Sequence, residues 1–275
     1  MAVGAMPMRP WSMFVDWLHG ISARSAPAAP RQQPHERPPD VEPPREVDLL
    51  RAAERDAIVA TYLNGRLQAL GFVQVAPRRW VDGSIAPVRR VFEMQLLKGA
   101  AMKAVWGFSL DFVPHLSGGR VCWHRSNRTA MFDLYVELED RIYASFLHGA
   151  AWLHHGLERL VPTALERAQE TWRRGSTLPG VLDIVREIRE RKINSFYVYF
   201  SWHLPLTFMF LSAKIGNLAA AQAELEAYAH EYELAEDVVA KLAKLAPEPC
   251  TGRKRPEPFL RRSAVEEGRR PTNSL

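Results

Sequence analysis

Three stretches of the sequence place an apolar residue at nearly every second position, and this period constrains the fold more than any other feature. The stretches are VRRVFEMQLL (88–97), AVWGFSLDFV (104–113) and TAMFDLYVEL (129–138). Successive side chains of a strand point to opposite faces, so a two-residue period is typical of strands with one packed and one polar face. The chain therefore has to build an antiparallel sheet that another layer covers on one side.

The segments on both sides of these stretches carry the helical period instead. The stretch from 46 to 72 places one apolar stripe at Ile58, Tyr62, Leu63, Leu67 and Leu70 before Gly71. Further helices are predicted at 152–172 with an interruption at Pro162, at 181–193, in a hairpin that breaks at Gly216-Asn217, and at 236–245. We predict an α+β fold: an antiparallel β-meander with helices packed on one face, followed by a helical C-terminal part.

Proline content sets the expected boundaries of this body. Fourteen of the twenty prolines fall outside residues 47–246. The sequence therefore predicts a disordered Pro-rich segment at 1–46, a single α+β body at 47–246, and a disordered basic tail at 247–275. Within the body, residues 47–140 hold the first helix and the meander, and residues 141–246 hold the helical part.

Charge and motif content narrow the expected chemistry. The net charge is +5, and the tail after residue 246 supplies +3 of it, from seven basic and four acidic residues. The body is thus close to neutral, so we expect no sequence-specific nucleic-acid partner. GxGxxG, P-loop, HExxH and GxSxG patterns do not occur, so the sequence predicts no cofactor and no metal. The two cysteines, Cys122 and Cys250, lie far apart, which favours a cytoplasmic protein without a disulfide framework.

One uncharged stretch, residues 193–213, is long enough to be considered as a membrane span. It contains several polar residues, including Asn194, His203 and Pro205. We therefore expect a buried helical element of the core, with membrane attachment left open as the alternative.

Turn residues between the three stretches predict the strand register. Lys98-Gly99-Ala100 suits a three-residue loop that places Phe92 opposite Trp106. A four-residue turn at 116–119 would pair Phe112 with Trp123, and Asp111 with His124.

The third turn is expected at Asn127-Arg128. A two-residue turn there would place Trp123 opposite Phe132, and Cys122 opposite Asp133. The three turns together predict one aromatic core face, made of Phe92, Trp106, Phe112, Trp123 and Phe132.

The opposite, polar face of this sheet carries the candidate site. Asp111 would lie directly across from His124, with Asp133 diagonal to it. A carboxylate beside an imidazole raises the pKa of the imidazole and fixes its tautomer, as a general base requires. The candidate catalytic residues are therefore His124, Asp111 and Asp133, and the candidate binding residues are Gln95, Ser109, Tyr135, Glu93 and Arg89. The simpler alternative is a solvated ion pair on a sheet surface.

Three other histidines give weaker signals. With the turn at 116–119, His115 lies four residues from Asp111, about 13 Å along the strand, so the two do not share a metal. His154 and His155 are adjacent on a predicted helix and point about 100° apart, so they do not chelate one ion together.

A helix that ends in Leu-Gly-Phe (70–72), a charged hairpin, a strand with Gln95 and a strand with Trp106-Gly107 form a recognisable order. Over about residues 50–140 this order resembles an uncharacterised bacterial α+β family of unknown function. The resemblance supports the fold and assigns no catalytic residue. Two functions stay open: a non-catalytic protein that binds a protein or a small molecule, and an enzyme that uses Asp111, His124 and Asp133 for acid–base chemistry.

Overall fold

The structure, a computed structural model, describes residues 49–84, 86–117, 120–138, 142–193 and 204–246. The predictions for residues 1–46 and 247–275 lie outside these ranges. So do residues 194–203, the first half of the uncharged stretch.

Six helices and eight strands make up the described chain. The helices are α1 (Ala52–Gln68), α2 (Gly149–Arg174), α3 (Leu178–Ile193), α4 (Leu204–Lys214), α5 (Leu218–Glu231) and α6 (Glu236–Leu245). The strands are β1 (Val73–Ala76), β2 (Arg79–Asp82), β3 (Val88–Leu97), β4 (Ala101–Leu110), β5 (His115–Ser117), β6 (Arg120–Cys122), β7 (Leu134–Glu137) and β8 (Ala144–Ser145).

The main sheet is antiparallel and has the order β1-β2-β3-β4-β7, with β8 paired to the start of β4. The β5–β6 hairpin forms a small sheet of its own. Helices follow the sheet along the chain, so the predicted α+β fold is confirmed.

The β3–β4 hairpin has the predicted register. Phe92 pairs with Trp106, and the three-residue loop 98–100 joins Leu97 to Ala101. The loop has positive φ angles at Gly99 and Ala100, 85° and 56°. Glycine adopts such an angle without steric cost, and Ala100 lies in the small left-handed region that is open to other residues.

The even-numbered face of the sheet packs against the helices and forms the main core. Phe92 and Trp106 are fully buried there together with Leu63 and Leu67 of α1. Two indoles make crossed contacts between β4 and the last turn of α2. Trp106 Nε1 donates to Thr171 Oγ1 at 2.9 Å, and Trp172 Nε1 donates to the Gly107 carbonyl at 3.2 Å.

The other three predicted core aromatics are only half-buried, which corrects the expected aromatic face. Phe112 lies at the margin of the main core. Trp123 stacks under the Arg125 guanidinium, 3.9 Å from Arg125 Cζ to the ring centroid. Phe132 packs on the opposite face, against a second small cluster made of Val81, Val91 and Ala130.

Residues 111–133, here called the 111–133 excursion, leave the sheet between β4 and β7. The excursion contains the β5–β6 hairpin and a 3₁₀ turn at Asn127–Thr129 that Ser126 caps. Strand β7 pairs directly with β4, with Phe108 opposite Leu134 and Trp106 opposite Val136. The predicted turn at Asn127-Arg128 and the pairing of Cys122 with Asp133 are therefore wrong.

The helical part follows the predictions more closely. Helix α2 is continuous through Pro162, whose ring is exposed, so the expected interruption does not occur. Gly216, with a φ of 91°, and Asn217, which caps α5 through Ala220 N–H, separate α4 from α5. In the described part of the chain, no helix combines the length and apolar content needed to cross a bilayer.

Candidate functional site

Arg89 lies on the odd-numbered face of β3 and is the anchor of the excursion. Its Nε donates to Asn127 Oδ1 at 3.0 Å, and one terminal nitrogen donates to the Arg125 carbonyl at 2.7 Å. Another terminal nitrogen forms an ion pair with the Asp111 carboxylate. Burial lowers the pKa of Arg89 from its ordinary value. Arg89, predicted as a surface binding residue, is an internal contact.

The Asp111 side chain therefore contacts Arg89 instead of His124, its predicted partner. Its carboxylate faces Arg89, and its carbonyl accepts a hydrogen bond from Arg125 Nε at 3.0 Å. In the β5–β6 hairpin, Ser117 pairs with Arg120 and His115 with Cys122. This register differs by two residues from the one that placed Asp111 opposite His124, so that predicted pairing is wrong.

The carboxylate that does meet an imidazole is Asp133. His115 Nε2 lies 2.9 Å from Asp133 Oδ1, and both side chains are buried, with 5% and 1% of their surface exposed. Asp133 Oδ2 accepts the Leu110 N–H at 2.5 Å, and the Asp133 carbonyl accepts the Thr207 hydroxyl of α4 at 2.9 Å. Burial raises the pKa of Asp133, and the contacts with His115 and the Leu110 N–H oppose that rise.

His124 completes this group of side chains. Its ring meets the His115 ring edge-on, with 4.5 Å between centroids and an interplanar angle of 88°. Burial and the neighbouring His115 lower the pKa of His124, while a hydrogen bond with the Thr129 backbone works in the opposite direction. Cys122, a half-buried free thiol, pairs with His115 across the hairpin.

The other end of the odd-numbered face is less covered. Arg79 Nε donates to Glu93 Oε2 at 2.5 Å, and Lys103 forms an ion pair with Glu137. These four side chains keep between 18% and 30% of their surface exposed.

Three of the remaining candidates can now be placed on this face. Gln95 pairs in register with Lys103 and is half-buried, as is Tyr135. Ser109, by contrast, is fully buried, which corrects its predicted place on the polar surface.

The arrangement offers polar contacts but no convergent metal ligands. Within the ranges that the structure describes, no three His, Cys, Asp or Glu side chains are placed to hold a metal ion. His154 is exposed on α2 and the adjacent His155 is half-buried.

His115 is the residue that sequence reasoning set aside. The register expected from a turn at 116–119 kept His115 away from Asp133, which it meets in the structure. The available signal was Gly118-Gly119: a two-residue glycine turn is a favoured hairpin connection, and it places His115 opposite Cys122.

Comparison of the chain with family models, curated proteins and solved structures finds no match. The resemblance over residues 50–140 therefore stays an expectation, and the function has to be argued from the site.

Proposed function

We propose that the protein is a non-catalytic binding protein whose ligand contacts the less covered end of the odd-numbered sheet face. We call this region the ionic surface, and it consists of Arg79, Glu93, Gln95, Lys103, Tyr135 and Glu137. The observation that carries the proposal is the partial exposure of its four charged side chains, 18% to 30%, on one face of adjacent strands.

The charges of the ionic surface balance. Arg79 lies directly opposite Glu93 in the β2–β3 register, and Lys103 reaches Glu137 on β7. A ligand with a single strong charge would meet positive and negative side chains at once and would gain little binding free energy. A polar ligand with both donors and acceptors, from a protein segment or a small molecule, complements this surface better, because matched potentials determine specificity.

The enzyme alternative has less support from the same geometry. Asp111 is engaged by Arg89, and Asp133 is buried and accepts the Leu110 N–H. A general base must reach the proton it removes, and these two carboxylates face groups of the protein instead. His124 and Asp111 are both half-buried, whereas Asp133 is buried.

We also propose a cytoplasmic location in a bacterial cell. The compartment is supported by the cysteine content, since Cys122 is a free thiol and the sequence holds one other cysteine, far along the chain, and the bacterial origin rests on the resemblance over residues 50–140.

Thermal melting of the full-length protein tests the proposal. Wild type, Gln95→Arg and Gln222→Arg are melted with a panel of metabolites and peptides. Gln222 is exposed on α5, so its variant makes the same chemical change away from the ionic surface. A ligand that binds the folded state raises the melting temperature. We expect a shift in wild type and Gln222→Arg that Gln95→Arg loses.

Two outcomes would contradict the proposal. Equal ligand shifts in both variants would place the binding surface elsewhere. Turnover of a bound compound that His124→Ala abolishes, while Gln95→Arg retains it, would favour the enzyme alternative.

A further inference from the structure

We propose that His115, His124 and Asp133 form an acid-sensitive latch, which holds the β5–β6 hairpin of the 111–133 excursion in place and opens when His124 gains a proton. The inference does not depend on the ionic surface or on its ligand.

The latch joins separate parts of the excursion. Asp133 immediately precedes β7 and is fixed by the Leu110 N–H at the end of β4 and by Thr207 of α4. His115 begins β5 and reaches Asp133, and His124, which follows β6, lies edge-on against His115. Opening these contacts frees the β5–β6 hairpin from the part of the chain that β4 and α4 hold.

The charges around His124 make the latch sensitive to a proton on this imidazole. Asp133 Oδ1 lies 2.9 Å from His115 Nε2, so the carboxylate of this cluster is already engaged by His115. The neighbouring carboxylate of the excursion, Asp111, is engaged by Arg89, and Arg125 adds a positive charge beside it. Cys122 lies opposite His115 in the hairpin. A proton on His124 therefore adds a positive charge at a half-buried position against the buried His115 ring, which is unfavourable.

The direction of the pH dependence follows from His124. Burial and His115 lower its pKa from the ordinary 6.5 in the closed state, whereas an opened, solvated His124 returns to that value. The closed state therefore has its full stability above pH 6.5 and loses it as the pH falls through the lowered pKa. Between the two pKa values, the opening equilibrium rises by about tenfold for each pH unit.

Hydrogen exchange read by mass spectrometry tests the latch in the full-length protein. Exchange of the 111–133 amides is compared at about pH 7.5 and about pH 5, with times scaled for the intrinsic rate, because histidine titrates between these values. We expect faster scaled exchange of the β5–β6 hairpin amides at the lower pH, while the β3–β4 amides keep their protection.

Variants separate the latch from a general effect of acid. His124→Phe keeps an edge-on ring and removes the proton site, so its excursion should stay protected at both pH values. His154→Gln, a change at an exposed histidine of α2, should open like wild type. Circular dichroism at neutral pH checks folding, and His124→Gln replaces the phenylalanine variant if that variant is misfolded.

The latch is wrong if scaled exchange of the wild-type excursion is the same at both pH values. It is equally wrong if the His124 variant opens in acid as wild type does.

Discussion

The two ends of the odd-numbered sheet face have similar residues and different surroundings. At the start of β3, Arg89 is buried beneath the 111–133 excursion and contacts Asp111, Asn127 and the Arg125 carbonyl. Further along the same strand, Glu93 pairs with Arg79, which also reaches the excursion through the Ala130 carbonyl at 3.2 Å but keeps 30% of its side chain exposed, against 8% for Arg89. The strand alternation is the same at both places. Whether a charge on this face is internal or accessible is decided by the path of a distant segment.

This difference has an energetic consequence. An exposed ion pair contributes roughly 0.2–1 kcal/mol, whereas removing one partner of a buried pair costs about 3–5 kcal/mol, because the other partner loses its compensation. The two ends of the face should therefore respond very differently to the same kind of substitution.

The largest effect is expected for Arg89→Met. Methionine fills a similar length but donates no hydrogen bond, so Asp111, Asn127 and the Arg125 carbonyl all lose their donor. We expect a loss of about 3–5 kcal/mol in the free energy of unfolding, measured by urea denaturation. A loss below about 1 kcal/mol, the range of an exposed pair, would show that the excursion does not depend on this anchor.

A smaller effect is expected for Gly83→Ala, which tests how closely Asn127 of the 3₁₀ turn packs against residue 83. An added Cβ would lie 2.0 Å from Asn127 Oδ1 and 2.8 Å from Asn127 Cγ. Asn127 must move and weaken its bond with Arg89, and overpacking of this kind costs about 1–3 kcal/mol.

Gly65→Ala is the matched control for this change. Gly65 lies in α1, and an added Cβ there would meet nothing within 4 Å. Alanine is favoured over glycine in a helix by up to about 1 kcal/mol. Chemical denaturation of the two variants should give opposite signs. Small and equal changes in the free energy of unfolding of the two variants would mean that the excursion packs loosely against Gly83.

The smallest effect is expected for Lys103→Met on the ionic surface. The Lys103 and Glu137 side chains keep 19% and 26% of their surface exposed, so water compensates a lost partner. We expect a loss below about 1 kcal/mol that shrinks further when salt is added. A loss as large as that of Arg89→Met, in the same urea assay, would remove the contrast between the two ends.

Local sequence signals predicted much of the fold. The β3–β4 register followed from a three-residue loop and from alternation over long strands, where a slip of one residue would turn Phe92 and Trp106 away from the core. Helix α6 has the predicted bounds, and the break before α5 falls at Gly216-Asn217 as expected. In each case the deciding information lies within a few residues.

The candidate site depended on information that is not local. Strands β5 and β6 have only three residues each, too few for alternation to determine a register. Matching Phe112 to Trp123 was chemically reasonable, but Arg89 on a distant strand holds both ends of the loop and determines its path. Of the three predicted catalytic residues, the structure brings Asp133 and His124 to one cluster through His115, and it places Asp111 with Arg89.

The crossed indole contacts between β4 and α2 also bear on how the chain folds. Trp106 and Trp172 each bond to a partner 65 residues away, so neither contact forms until a long loop has closed. Loop closure carries an entropic cost that long-range contacts must offset, and chains rich in such contacts fold slowly. During synthesis, the two tryptophan contacts of β4 therefore cannot form until the last turn of α2 has been made.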